Sequence, residues 1–304
     1  MDVDTIWMDG EFVPWDEAQV HVLTHGLHYG TGVFEGVRCY DTARGPAVFR
    51  WEEHLDRFYD SAKPYDLEIP FEPDELTDAT LELIRREELA SCYIRPIAFY
   101  GYNMLGLNPS ECPERVAIAV WPWGAYLGEE ALEEGVDVTV SSWRKYASSQ
   151  IPTGAKTTGS YVNSVLASLE AKRDDYVEAI LLNKEGNVAE GPGENLFLVR
   201  DGEIYTPGLA ESILDGITRQ TAIELARDLG YTVHDEATVS RSELYTADEL
   251  FFSGTAAEVT PIRSVDDNQI GAGTKGPVTD EIQTKFFDIL EEAPEEYDDW
   301  FTFV

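Results

Sequence analysis

The sequence predicts a mixed α/β (α+β) protein with two domains, and three observations support this fold class. The chain has 304 residues, which exceeds the usual length of one domain. Its predicted strands and helices alternate irregularly, unlike the steady strand–helix–strand order of a parallel sheet. Hydrophobic residues make up 43% of the chain, so it can build a core, and intrinsic disorder is excluded.

The first half of the chain is predicted to form strands on either side of two helices. Residues 5–40 are β-rich, and Asp9-Gly10 is typical of a hairpin turn. Apolar residues at helical spacing then predict the helices, and two strands follow them. These elements are the helices Trp51–Ala62 and Asp74–Leu89 and the strands Tyr93–Tyr100 and Val116–Trp121.

The stretch Trp121-Pro122-Trp123-Gly124-Ala125-Tyr126-Leu127-Gly128 separates the two predicted domains, because its proline and glycines interrupt the periodicity. We therefore predict a smaller N-terminal α/β domain over 1–128, an interdomain connection over about 121–134 and a larger C-terminal domain over 135–304. The second domain is predicted to contain the strands Val136–Ser142, Ala179–Asn183, Asn195–Val199, Tyr231–Val233 and Leu250–Ser253 and the helices Tyr161–Arg173, Thr218–Leu229 and Thr279–Leu290.

The chain is strongly acidic, with 58 acidic and 22 basic residues and a formal net charge of −36 at pH 7. This charge repels phosphates, and no run of Lys or Arg offsets it, so we expect no nucleic-acid or membrane partner. The acidic residues are spread along the chain, and only seven of the 22 basic residues are lysines. We interpret this pattern as the salt adaptation of a halophile, in which screening reduces self-repulsion. A local acidic docking surface for a basic partner is the competing interpretation.

The sequence predicts a cytoplasmic protein. Asp2, Asp4 and Asp9 lie where a secretory leader needs a basic and then an apolar segment. No run approaches the roughly 18 apolar residues of a membrane helix. The three cysteines are odd in number and lack CxxC spacing, which argues against a disulfide framework or a thiolate metal site.

Lys156 is the most unusual residue in the sequence. It is the only charged side chain between Tyr146 and Leu169, although 26% of the whole chain is charged. Neutral, buried surroundings lower the pKa of a lysine, and the free amine is then a nucleophile toward carbonyls. The pattern therefore predicts a Schiff-base lysine. The plainer alternative is a lysine that extends from a loop into solvent.

Two turns and one acidic link suit a phosphorylated cofactor. Leu214-Asp215-Gly216-Ile217-Thr218-Arg219 leads into a helix whose free amides suit a phosphate, although an ordinary N-cap fits the same residues. Ser253-Gly254-Thr255-Ala256-Ala257 offers further amides, and the Gly/Pro-rich link 187–197 contains Glu190 and Glu194. A lysine nucleophile, a phosphate site and a carboxylate for the ring nitrogen are what pyridoxal phosphate requires.

Five segments, in this order, resemble the branched-chain amino acid aminotransferases, which are class IV, fold-type IV pyridoxal phosphate enzymes. They are His25-Gly26-Leu27-His28-Tyr29-Gly30-Thr31-Gly32-Val33-Phe34-Glu35-Gly36, Tyr93-Ile94-Arg95-Pro96, the Lys156 segment, Glu190-Gly191-Pro192-Gly193-Glu194-Asn195-Leu196-Phe197 and Ser253-Gly254-Thr255-Ala256-Ala257-Glu258. The resemblance runs from about Trp7 to Phe287, and the acidic tail after Phe287 is less clearly matched. It implies a two-domain fold like that of D-amino acid aminotransferase, with the cofactor between the domains.

The resemblance implies a role for each matched residue. Lys156 is implied as the catalytic lysine that binds the cofactor, with Tyr161 at its phenolic oxygen and Glu190 at its pyridine nitrogen. The implied phosphate ligands are Arg57, Ile217, Thr218 and Thr255. Tyr93 and the amides of Thr255 and Ala256 are implied as ligands of the substrate α-carboxylate, and Arg95 as the ligand of the distal carboxylate of glutamate. The implied pocket around the substrate side chain is formed by Phe34, Trp123, Tyr126 and Tyr161, with Tyr29 and Leu107 from a second subunit. No metal is implied.

The implied reaction is amino transfer from leucine, isoleucine or valine to 2-oxoglutarate and its reverse, the last step of branched-chain amino acid biosynthesis. Lys156 would move the proton of the substrate Cα, and the kinetics would be ping-pong. The implied partners are small molecules, namely branched-chain amino acids, glutamate and 2-oxo acids. Residues from a second subunit also imply at least a homodimer and leave a trimer of dimers open.

Other functions account for fewer residues. The glycines of 30–36 have GxGxxxG spacing, one residue too long for a dinucleotide fingerprint and without its βαβ unit, which argues against a dehydrogenase. His21, His25 and His28 lack a carboxylate or cysteine to complete a zinc site. D-amino acid aminotransferases and aminodeoxychorismate lyases share the lysine and the glutamate, but segments 93–96 and 121–128 favour the branched-chain enzymes. A non-catalytic acidic interaction protein is the alternative outside the enzymes.

Overall fold

The computed structural model describes residues 3–124 and 126–304. The chain forms two compact units. The first comprises the chain up to Trp123 together with Ala155–Ser160 and Ile289–Val304, and the second comprises Gly124–Gly154 and Tyr161–Asp288. No helix in the described residues has the length and hydropathy that a membrane crossing requires.

The strands in chain order are β1 (Thr5–Met8), β2 (Glu11–Pro14), β3 (Gly32–Phe34), β4 (Val37–Thr42), β5 (Gly45–Phe49), β6 (Cys92–Tyr100), β7 (Glu114–Trp121), β8 (Val136–Arg144), β9 (Glu178–Leu182), β10 (Val188–Glu190), β11 (Asn195–Arg200), β12 (Glu203–Pro207), β13 (Val233–Ala237), β14 (Glu249–Gly254), β15 (Glu258–Val265), β16 (Asn268–Gln269) and β17 (Phe301–Phe303). The helices are α1 (His25–Tyr29), α2 (Trp51–Ala62), α3 (Pro73–Arg86), α4 (Glu129–Glu134), α5 (Tyr161–Arg173), α6 (Ile217–Asp228), α7 (Arg241–Leu244) and α8 (Pro277–Glu292). Short 3-10 helices lie at Trp15–Glu17, Lys63–Tyr65, Leu209–Glu211 and Glu295–Trp300.

The first unit is an antiparallel sheet with helices α2 and α3 packed against it. Its strands are ordered β17-β5-β4-β6-β7-β1-β2, and β3 pairs separately with β6. In α2 the buried residues Trp51, Leu55 and Phe58 recur at helical spacing. Helix α3 begins at a capping box formed by Glu72 and Glu75. The pairing of β3 with β6 brings two of the predicted site segments onto one sheet.

The second unit is a mixed sheet, ordered β10-β9-β8-β15-β14-β11-β12-β13 with β16 beside β15. Strand β8 pairs in parallel with β9 and β15, and β12 pairs in parallel with β13. The pairs β11–β14 and β14–β15 are antiparallel. Phe197 and Phe251 stack in the core with ring centroids 4.7 Å apart. The combination of parallel and antiparallel pairing confirms the predicted mixed α/β class.

The structure agrees with two predicted helices and differs from the prediction at two places that were predicted to be β-structure. Two helices, Trp51–Ala62 and Tyr161–Arg173, begin and end at the predicted residues. The predicted strand Tyr231–Val233 is wrong, because the amide of Tyr231 closes the end of α6 on Ala226 and β13 begins only at Val233. Helix α1 lies within the stretch predicted to be β-rich.

The predicted C-terminal domain 135–304 is not one unit in the structure. Ala155–Ser160, which contains Lys156, belongs to the first unit because its backbone bonds to β3. The acidic tail also belongs there, since β17 pairs with β5 and Arg44 forms an ion pair with Asp298. The predicted connection 121–134 includes Ala125, which lies outside the described residues.

Candidate active site

The segment around Lys156 is fixed by hydrogen bonds to β3 and α2. The amide of Phe34 donates to the carbonyl of Lys156 at 3.1 Å, and the amide of Thr158 donates to the carbonyl of Gly32 at 2.9 Å. The amide of Lys156 donates to the Ser61 hydroxyl at 2.9 Å. The lysine side chain therefore leaves a backbone that is held on both sides.

Charged side chains approach Lys156 in space, although none neighbours it in the sequence. Burial lowers the pKa of Lys156 to about 8; Glu35 opposes this shift, and the cationic Arg57 and Arg95 reinforce it. The Lys156 ammonium lies 5.1 Å from the centroid of the Phe34 ring. The predicted neutral surroundings are therefore wrong, but the lowered pKa is confirmed.

Glu35 forms a buried cluster with two side chains of α2. Arg57 donates to the Glu35 carboxylate through Nε at 2.7 Å and Nη2 at 2.9 Å, and His54 Nδ1 lies 2.7 Å from Oε2. Burial alone would raise the pKa of Glu35, but Arg57 and His54 together hold it well below its usual range. Glu35 and His54 were not predicted as site residues from the sequence; the available signal was the helical spacing of His54 and Arg57.

Arg95 is enclosed by aromatic rings on β6 and its neighbours. Its guanidinium carbon lies 4.9 Å from the centroid of Phe34, 5.2 Å from Tyr93 and 5.9 Å from Trp121. Nη2 donates to the Tyr93 hydroxyl at 3.3 Å. Nε is buried and has no hydrogen-bond partner within the described residues. An arginine in this setting can bind a carboxylate that enters from outside the protein.

In the second unit, Glu190 is buried and held by three groups. Its Oε1 forms an ion pair with Lys145. Its Oε2 accepts the amide of Leu214 at 2.8 Å and Asn195 Nδ2 at 3.2 Å. Asn195 Nδ2 also donates to the carbonyl of Leu214 at 2.9 Å, so the carboxylate is tied to the loop before α6. Lys145 and Asn195 were not predicted from the sequence.

Two turns of the second unit present donors that suit a phosphate. Helix α6 begins at Ile217 and its N-cap residue is Gly216, so neither predicted alternative N-cap, Asp215 or Thr218, occupies the capping position. The turn that contains Thr255 and Ala256 joins β14 to β15. At its start, the Ser253 hydroxyl is buried and has no hydrogen-bond partner in the part of the chain that the structure describes.

The remaining predicted pocket residues are more exposed. Tyr29, Tyr126 and Leu107 have 44%, 46% and 85% of their surface exposed in the single chain. Tyr161 is half-buried at the first residue of α5, and Trp123 packs against Tyr93 with ring centroids 5.2 Å apart.

Two of the three clustered histidines, His25 and His28, contact nearby backbone and hydroxyl groups. His25 contacts the Thr31 hydroxyl and the carbonyl of Gly106, each at 2.7 Å. His28 contacts the carbonyl of Val22 at 2.9 Å. Within residues 3–124 and 126–304, no group of His, Cys, Asp and Glu could hold a metal ion.

The chain is similar to known aminotransferases over nearly its whole length. A family model described as amino-transferase class IV matches residues 32–265. The chain is 50% identical over 298 residues to the branched-chain-amino-acid aminotransferase of Escherichia coli (strain K12). The matched residues cover 98% of this chain and 96% of that protein.

Solved structures agree with this similarity. A crystal structure of the Escherichia coli branched-chain amino acid aminotransferase matches with a TM-score of 0.96 at 50% identity and covers 98% of both chains. A T.th. branched-chain amino acid aminotransferase complexed with N-(5'-phosphopyridoxyl)-L-glutamate matches with a TM-score of 0.95 at 48% identity, covering 100% of this chain and 99% of that one. From the family match, the nearly full-length identity and the shared fold, we conclude that this chain belongs to the class IV aminotransferases.

Proposed function

We propose that this enzyme transfers the amino group of leucine, isoleucine or valine to 2-oxoglutarate, and in reverse, with ping-pong kinetics. The chain is a branched-chain amino acid aminotransferase that uses pyridoxal phosphate. The observation that carries the proposed site is Lys156, because an amine with a pKa of about 8 is a usable nucleophile near neutral pH.

Each unit, taken by itself, contains side chains that suit a part of pyridoxal phosphate. The first unit supplies the Lys156 amine and the Arg57 guanidinium. The second unit contains the start of α6 after Gly216, the buried Ser253 hydroxyl and the Glu190 carboxylate. An amine, cationic and amide donors and a carboxylate match the aldehyde, phosphate and ring nitrogen of the cofactor.

Each residue then has a defined task. Pyridoxal phosphate, when bound, supplies a carbonyl that links to amines and a ring that accepts electrons from the substrate Cα. Lys156 holds the cofactor and, once the substrate amine has replaced it, moves the proton of the substrate Cα. Glu190 keeps a proton on the ring nitrogen. The proposed contacts to the phosphate are Arg57, Ile217, Thr218 and Thr255, with Tyr161 at the phenolic oxygen.

The substrate ligands are proposed from the same geometry. Tyr93 and the amides of Thr255 and Ala256 would bind the α-carboxylate, and Arg95 would bind the distal carboxylate of glutamate. The buried Arg95 Nε and its aromatic surroundings support this assignment, as does the glutamate derivative carried by the T.th. relative. The proposed walls of the side-chain pocket are Phe34, Trp123, Tyr126 and Tyr161.

A second subunit is part of the proposal. Leu107 is largely exposed and Tyr29 partly exposed in the single chain, which supports their use in the pocket of a neighbouring copy and hence at least a homodimer. The spread acidic charge supports the proposed halophilic source, and the proposed location is cytoplasmic.

Lys156→Ala tests the site directly. The variant should lose about 10⁴-fold or more in turnover with leucine, because the proton-transfer group is gone. Adding leucine to the wild-type protein should bleach the visible absorption of the bound cofactor, and the variant should not respond. Lys172→Ala, at an exposed position of α5, is the matched control and should behave as wild type. Near wild-type turnover in Lys156→Ala would overturn the proposal.

A further inference from the structure

Lys145 and Glu190 form a buried ion pair in the second unit. Each side chain is only 7% exposed. Lys145 directly follows β8, and its amide donates to the carbonyl of Leu182, the last residue of β9, at 2.8 Å. Glu190 ends β10, and the sheet order β10-β9-β8 brings these strand ends to one place.

The pair differs from the exposed ion pairs of this acidic chain. Burial is the largest single cause and lowers the pKa of Lys145, but the Glu190 carboxylate and two tyrosines together outweigh it, and the net shift is upward. Tyr146 and Tyr161 are the two tyrosines that raise the pKa of Lys145. Around Glu190, the remaining contacts are neutral donors, Asn195 Nδ2 and the Leu214 amide. Lys145 is therefore the cation that compensates the Glu190 charge at hydrogen-bond distance.

A buried carboxylate without a cation takes up a proton, because the charged form is poorly solvated. A protonated Glu190 cannot act as an anionic acceptor for the protonated ring nitrogen of the cofactor. We propose that Lys145 is a positioning residue that keeps Glu190 ionised and fixes its Oε1 before the cofactor binds. Asn195 and the Leu214 amide fix Oε2, so the ionised carboxylate is ready to accept a hydrogen bond from the protonated ring nitrogen. This inference rests on the proposed role of Glu190.

Lys145→Met removes the charge with little change in side-chain length. Glu190 in the folded variant should then hold a proton more tightly than in the unfolded chain, where its midpoint is about 4.3. The protonated carboxyl therefore stabilises the folded variant fully below a pH of about 4.3. This stabilisation is lost as the pH rises through the midpoint of Glu190 in the folded variant. At pH 8 the melting temperature of the full chain should be on the order of 10 °C below wild type, and this gap should close toward pH 5.

Three variants serve as controls. Lys145→Arg keeps the charge and should restore wild-type behaviour. Lys275→Met breaks an ion pair with Asp280, whose carboxylate is 55% exposed, so any loss there should not change between pH 5 and pH 8. The double variant Lys145→Met/Glu190→Gln removes both charges, so its melting temperature should differ from wild type by the same amount at pH 5 and at pH 8. If Lys145→Met does not fold, this double variant must fold, and its failure to fold would overturn the proposal.

Cofactor affinity is the second measurement. We compare the dissociation constant of pyridoxal phosphate for Lys145→Met with that for wild type. The ratio of the two constants should grow about tenfold for each pH unit below the midpoint of Glu190 in the variant. A flat ratio together with a pH-independent melting difference would overturn the positioning role. Glu190→Gln is measured alongside. If it leaves both turnover and cofactor affinity unchanged, the proposed role of Glu190 itself fails, whatever Lys145→Met shows.

Discussion

A lysine that attacks a carbonyl must be both deprotonated and fixed in place, and Lys156 meets the two requirements by different means. Burial lowers its pKa to about 8, and hydrogen bonds from Phe34 and to Ser61 fix its backbone. Glu35 limits the shift, because its carboxylate favours the ammonium form. The result is an amine that gains and loses its proton close to working pH, as proton transfer requires.

This balance predicts how the reactivity of Lys156 depends on pH. Only the free amine reacts, so labelling of the cofactor-free protein by trinitrobenzenesulfonate at Lys156 should level off above a pH of about 8. Below it, the rate should fall about tenfold per pH unit. Mass spectrometry of digests would quantify the site. N-acetyl-lysine in solution, with a pKa of about 10.4, is the control and should still gain reactivity at pH 9. Parallel curves for the two amines would contradict the lowered pKa.

Arg95 is expected to separate the two substrates. Its aromatic neighbours offer no carboxylate, so glutamate and 2-oxoglutarate should supply one. Arg95→Met should remove a charge-assisted hydrogen bond worth about 1.5–3 kcal/mol, or roughly ten- to 150-fold in kcat/KM for these substrates. The leucine half-reaction should be largely spared, because an isobutyl group offers nothing to a guanidinium.

Single-turnover measurements of the two half-reactions test this division. Arg115→Met, which breaks a partly exposed pair between β7 and Asp9, is the control for the loss of an arginine. Equal losses for leucine and glutamate in Arg95→Met would assign Arg95 to the fold or to the α-carboxylate.

At the scale of elements, the glycines before β3 bring the Lys156 segment into place. The amide of Gly159 donates to the carbonyl of Gly30 at 3.1 Å, and a Cβ on Gly30 would lie 2.5 Å from the Cα of Gly159. Gly30 also has a φ of 66°, a conformation that other residues rarely adopt. The spacing that resembled a dinucleotide fingerprint therefore serves close backbone contact.

Gly30→Ala should therefore lower the free energy of unfolding by more than backbone strain alone would. We expect a loss of about 2–4 kcal/mol in the free energy of unfolding, from strain and overpacking, together with reduced turnover as the Lys156 segment shifts. Gly45→Ala is the matched control: its φ is 109°, but a Cβ there meets nothing within 4 Å. That variant should lose about 1–2 kcal/mol and keep its kcat. Denaturant unfolding and steady-state kinetics would compare the two, and equal effects would contradict the contact argument.

The elements also show what a sequence can and cannot predict. Helix Trp51–Ala62 was predictable because its buried apolar residues repeat at helical spacing. The pairing of Glu35 with Arg57, 22 residues away, had no such signal, since a chain with 58 acids offers every arginine many partners. The same holds for Lys145 and Glu190, which meet only through the sheet order. Lys156 was found because an absence of neighbouring charge is visible in the sequence, whereas its charged neighbours in space are not.

At the scale of the whole molecule, charge is the dominant feature. Even if each of the 22 basic residues paired with one acid, 58 − 22 = 36 carboxylates would lack a basic partner. The tail shows that acidic segments can still be structural: β17 completes the sheet beside β5, and Arg44 and Arg50 contact the rings of Phe303 and Trp300. Repulsion among the excess carboxylates opposes folding in dilute buffer.

Salt should therefore stabilise this protein. The Debye length falls from about 10 Å at 0.1 M to about 3 Å at 1 M, which screens repulsion between exposed carboxylates. The melting temperature should rise by about 5–10 °C between 0.1 M and molar KCl, with most of the gain below 1 M, where screening changes fastest. Sorbitol at matched osmolality is the control, because it excludes volume without screening charge and should not reproduce the steep low-concentration rise. A melting temperature that stays flat or falls with KCl would mean that the excess charge does not limit folding, and would favour an acidic surface that binds a basic partner.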